Sequence, residues 1–144
     1  MRLWHKDLIP YLPRQQLIAQ WRECCAIAGS IAKKGTPNHI LVNKVMKYPI
    51  DYFYYYTSYV IDEMRKRGYN VSDISLINFT KNQPDFNLYR CTILRISIPL
   101  YPDWHNDRYL KQCLFNLQEK YDCGGIPENE WKVIENHFSK YLGE

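Results

Sequence analysis

The chain has 144 residues, of which 46% are hydrophobic and 24% charged. This is enough for one ordinary core, too little for two confident domains, and unlike a disordered or fibrous chain. No apolar run approaches the ~20 residues of a membrane helix, and the opening Met1-Arg2-Leu3-Trp4-His5-Lys6-Asp7 lacks an apolar signal core. The expectation is a single domain over residues 1–144, mainly α and compact, with no membrane partner. Net charge is +4. Residues 1–70 hold eleven Lys/Arg against five Asp/Glu, and residues 71–144 hold eight against ten. A basic N-terminal half suggests a polyanionic partner.

In chain order, the first helix begins near Pro13, a good first-turn residue, and runs into Ala28 or beyond. Leu17, Ile18, Trp21, Cys24, Cys25 and Ala28 recur at helical spacing as one apolar stripe. Gly29 and Ser30 loosen it, and Gly35-Thr36-Pro37-Asn38 reads as a loop. A short helix over 39–47 follows. A second long helix runs from about Pro49 to Arg67 and ends on Arg65-Lys66-Arg67-Gly68, cations and then a glycine stop. The run Tyr52-Phe53-Tyr54-Tyr55-Tyr56 within it has the spacing of core and rim packing, with base stacking as the other reading. Residues 88–98 are rich in β-branched side chains and suggest one short extended segment. A helix over 106–121 starts from Asn106 as N-cap, and a last helix covers 127–141, starting at Pro127.

The five cysteines are Cys24, Cys25, Cys91, Cys113 and Cys123. An odd number with no CxxC pair argues against a disulfide framework or a zinc site, and points to reduced thiols and the cytoplasm. His39, His105 and His137 show no metal-ligand spacing. No glycine-rich phosphate loop or GxSxG is present. No metal and no cofactor are expected.

On the first helix, Glu23 falls opposite the apolar stripe, among Gln16, Ala19 and Ala26, with Arg22 beside it in sequence. Spacing alone makes this an ordinary solvated face. However, Leu12-Pro13-Arg14-Gln15-Gln16-Leu17-Ile18-Ala19-Gln20-Trp21-Arg22-Glu23, with Gly29 following, resembles the first helix of the pyrimidine-dimer DNA glycosylase/AP lyase family. Met1-Arg2-Leu3 resembles that family's opening, and Asp62-Glu63-Met64-Arg65-Lys66-Arg67-Gly68-Tyr69-Asn70-Val71 the end of its middle helix. The match is good over 1–30, fair over about 50–73 and weak beyond.

The resemblance implies a mainly helical DNA repair enzyme acting on damaged double-stranded DNA, at pyrimidine dimers or abasic sites, without a metal. The chain's own α-amino group attacks C1′ of the damaged nucleotide and forms an imine, and β-elimination then nicks the strand. Carried onto this chain, the resemblance makes the Met1 amine the nucleophile and Glu23 the essential carboxylate. Arg2 and Arg22 become phosphate or substrate contacts. Beside the resemblance, Lys33, Lys34, Lys44 and Lys47 read as a phosphate path or as a solvated surface, His5 as a site-lining residue or a buried structural histidine, and Gln16 as a candidate site-lining residue. Gln16 and Ala26 stand where the family pattern has histidine and arginine. These departures bear on dimer specificity more than on lyase chemistry.

Elementary chemistry supports those roles independently. An attacking amine must be neutral, and α-amino groups ordinarily titrate near 7.7–8.0, against about 10.4 for lysine. A free chain end is therefore a readily available amine nucleophile. Loss of the base leaves positive charge on the sugar, and the imine is cationic too. A carboxylate at that sugar stabilises both and can carry protons during elimination. Another reading is a non-catalytic nucleic-acid-binding helical module on the same scaffold. A further one is a small interaction protein with no nucleic-acid role.

Overall fold

The N-terminal arm enters the core before any α-helix forms. In the computed structural model, which describes residues 1–143, Leu3, Leu8 and Leu12 are buried. Lys6–Tyr11 wind into a 3-10 turn that His5 caps by accepting from the Asp7 N–H. The α-helices that follow are α1 (Arg14–Lys34), α2 (Ile50–Lys66), α3 (Asp73–Asn82), α4 (Leu88–Leu94), α5 (Asp107–Asp122), α6 (Glu128–His137) and α7 (Ser139–Leu142). Among the described residues none forms a strand. The fold is all-α, as expected.

Helix α1 packs on α2 and α3, α2 also packs on α4, and α5 meets α6 and α7. Gly29 and Ser30 do not loosen α1. The helix runs unbroken through both, and a Cβ at Gly29 would meet Asn82 Nδ2 at 3.5 Å, an ordinary contact. The helix stops at Gly35, whose φ of 74° is the left-handed conformation that glycine adopts without a Cβ penalty. The buried stripe of α1 is Leu17, Gln20, Trp21, Cys24, Ile27 and Ala28. This turns it toward Gln20 and Ile27, so Glu23 falls at the edge of the buried face and not opposite it.

The tyrosine run of α2 is core. Phe53, Tyr54, Tyr55 and Tyr56 are all buried. The Tyr54 hydroxyl donates to Gln83 Oε1 at 2.8 Å, and the Tyr56 hydroxyl donates to the arm at Trp4 O. Arg67, which reads as a helix-end cation, reaches back to the arm. Its guanidinium donates to Leu12 O at 2.7 Å and Pro10 O at 2.9 Å, while Nε meets Glu63 at 2.7 Å.

Three readings of local structure need correction. Residues 88–98 are not extended: Asn87 caps α4 by accepting from the Arg90 N–H, and Arg95–Ser97 continue as a 3-10 turn. A cap and local helical hydrogen bonds outweigh the β-branched propensity of Thr92, Ile93 and Ile96, whose side chains are exposed and gain nothing from a sheet. The helix over 39–47 is only a 3-10 turn, Asn43–Lys47. The last helix breaks at Phe138, which separates α6 from α7.

Candidate active site at the amino end

Main-chain atoms of the arm lie directly on α1. The Arg2 N–H donates to Glu23 Oε2 at 3.3 Å. Gln20, one turn before Glu23, is fully buried, and its amide is engaged on both sides. Its Nε2 donates to Arg2 O at 2.9 Å and to Glu23 Oε2 at 3.3 Å. Its Oε1 accepts from the Trp4 N–H at 2.8 Å and lies 3.0 Å from the Tyr56 hydroxyl. One primary amide thus ties the arm, the carboxylate and α2 together. From α5, the Tyr109 hydroxyl donates to Leu3 O at 2.6 Å.

The Met1 side of this arrangement is open. Met1 is 42% exposed. Among the described residues no ion pair joins its amine to Glu23, and the nitrogen on the carboxylate is that of Arg2. The Arg2 guanidinium folds onto the protein, 5.1 Å above the Trp4 ring and 3.8 Å from Cys113 Sγ. The thiols nearest Glu23 in sequence are held protonated. Burial pushes Cys24 far up and Cys25 up to about 11. Neither supplies a thiolate near neutrality.

His5 is committed elsewhere. Its Nδ1 caps the 3-10 turn, and its ring stacks on His105 with centroids 5.2 Å apart. The Lys6 N–H donates to His105 Nδ1 at 2.9 Å. Burial lowers the pKa of both imidazoles, His105 well below the ordinary histidine range, and neutral rings suit this stack. Gln16 lines a different cavity, between the start of α1 and Gly125–Glu130, and its Oε1 is buried without a partner. Arg22, Lys33, Lys34, Lys44 and Lys47 are exposed, and none enters an ion pair with a described residue. Residues 24–50 contain those four lysines and no Asp or Glu.

Sequence reasoning passed over Gln20 and Tyr109. Gln20 is a polar residue at a buried stripe position of α1, and that conflict with the apolar period was the available signal. Nothing local marks Tyr109, since its partner is 106 positions away.

Fold and site together define an all-α protein whose amino-terminal main chain is fastened to a carboxylate on its first helix. A family model described as pyrimidine dimer DNA glycosylase matches residues 1–75, more than half of the chain, and the chain belongs to that family. The family is one of DNA-repair glycosylases that act on damaged DNA. No curated protein and no solved structure matches the chain. No described helix is long and apolar enough to cross a membrane.

Proposed function

We propose that this chain is a metal-independent DNA glycosylase with AP lyase activity on damaged duplex DNA, at pyrimidine dimers or abasic sites. Its α-amino group is the nucleophile and Glu23 the essential carboxylate. The observation that carries this reading is the hydrogen bond from the Arg2 N–H to Glu23 Oε2, backed by the Gln20 clamp. It keeps the start of the chain within one residue of the acid.

The amine lone pair attacks C1′, the C1′–N bond to the base breaks, and loss of a proton from nitrogen and ring opening give the imine. Removal of a C2′ proton then expels the 3′ phosphate. Glu23 carries protons in these steps and faces the cationic sugar. With Met1 in place, the amine extends one residue beyond the nitrogen that meets Glu23. With Met1 removed, that nitrogen becomes the amine. Arg22, Lys33, Lys34, Lys44 and Lys47 serve as phosphate contacts. Arg2, folded on Trp4, contributes mainly its main chain. Residues 1–144 work as one unit, supported by the Tyr109–Leu3 bond and by Glu130 accepting from the Arg14 N–H at 2.6 Å.

Borohydride trapping on abasic-site DNA tests the reading. A covalent adduct is expected, and peptide mass mapping assigns it to Met1 or Arg2. Glu23→Gln should keep DNA binding and lose strand nicking by about a hundredfold or more. The 42% exposure of Met1, and an amine in no ion pair with a described residue, favour a second reading, a DNA-binding module without catalysis. That reading gives salt-dependent binding with no adduct.

A further inference from the structure

Three surface patches expose large apolar side chains. Ile74 and Ile77 on α3 stand beside Asp73. Ile93 and Ile96 flank Arg95, whose charge is met by Asp62. The third, Ile40, Leu41 and Met46, is 87%, 49% and 45% exposed, and it lies inside the acid-free stretch with Lys44 and Lys47.

This third patch sits on a built tip. The His39 N–H donates to Asn43 Oδ1 at 2.9 Å and the Leu41 N–H to His39 Nδ1 at 3.2 Å. Val42 and Val45 anchor its base in the core. Local bonds thus hold Ile40 outward. The tip is also next to the candidate active site. Ile40, Leu41 and Lys44 line a cavity of about 250 Å³ together with Trp104 and Tyr109, and Tyr109 holds Leu3 O.

We propose that Ile40 and Leu41 form an apolar wedge that enters the base stack of duplex DNA beside the lesion, while Lys44 and Lys47 hold the flanking phosphates. This rests on the DNA-repair reading above. Lys44 shares this cavity with Asp103, but residues 24–50 carry four lysines and no acid; that cationic surplus selects a polyanion, and the exposed apolar tip finds cover between unstacked bases. Wedging kinks the duplex and opens the sugar at the lesion to the amine.

The test uses the full chain and a short duplex with a stable abasic-site analogue next to 2-aminopurine. Wild type should raise the fluorescence several-fold as that base unstacks. Ile40→Ala with Leu41→Ala should bind with an unchanged salt slope and lose most of that rise. Lys44→Ala with Lys47→Ala should lower the salt slope by about 2, one for each phosphate contact. A full rise in the Ile40/Leu41 variant overturns the wedge, and an unchanged slope in the lysine variant overturns the phosphate contacts. A wild type that forms the borohydride adduct but gives no rise sinks the wedge alone. One that neither binds nor forms an adduct sinks the functional reading with it.

Discussion

The stretches 1–12 and 36–47 are of equal length, and neither contains an α-helix. They are built in opposite ways. The arm is held from outside itself: Gln20 of α1, Tyr56 of α2, Tyr109 of α5 and Arg67 all bond to its main chain. The loop is held largely from within, through Asn43 and the His39 ring, and presents side chains to solvent. Irregular backbone therefore serves two ends here. One stretch is fixed so that its own main chain can be positioned, and the other is shaped so that its side chains can be offered to a partner.

The largest effect that sharpens this contrast is Gln20→Ala. It leaves the Trp4 N–H and Arg2 O without their partner and opens a hole in the core. Unfolding free energy should fall by about 3 kcal/mol or more, read as a shifted urea midpoint. In the proposed mechanism, the adduct yield should fall further than DNA affinity does.

Acid should act next, through the stacked rings of His5 and His105. Folded His5 and His105 titrate below their unfolded value of about 6.5. Above that value both are neutral in both states, and stability is fully present. As pH falls below it, the unfolded chain takes up protons that the folded chain refuses, so stability declines. The slope is up to about 1.4 kcal/mol per pH unit for each ring. Urea midpoints at descending pH check this, and His105→Phe should flatten the curve.

The smallest effects belong to the loop. Asn43→Ala should cost about 1 kcal/mol or less, because the groups it frees are exposed to water. Ile40→Ala should leave the thermal midpoint nearly unchanged, since exposed substitutions stay within about 0.5 kcal/mol. A loop variant as damaging as Gln20→Ala would erase the contrast.

The long helices were readable from the sequence because their signals are local. Pro13, Asn106 and Pro127 mark starts, Gly68 marks a stop, and apolar residues recur at the right period. Helix α3 was missed although Ser72 caps it through the Ser75 N–H, because its Ile74 and Ile77 face solvent and only Phe79 is buried. Glu23 was singled out through a resemblance, while its edge position depends on Gln20 turning inward to meet an arm 16 residues away. Pairings across the chain leave no periodic trace, so the site's scaffolding was harder to read than its acid.

The arm is synthesised before every element that holds it, and its anchors emerge late. Gln20 and Tyr56 follow Trp4 by 16 and 52 residues, and Tyr109 follows Leu3 by 106. Throughout most of synthesis the amino end has no finished seat, so processing enzymes can reach it. Whatever terminus they leave behind is locked in when the last anchor arrives.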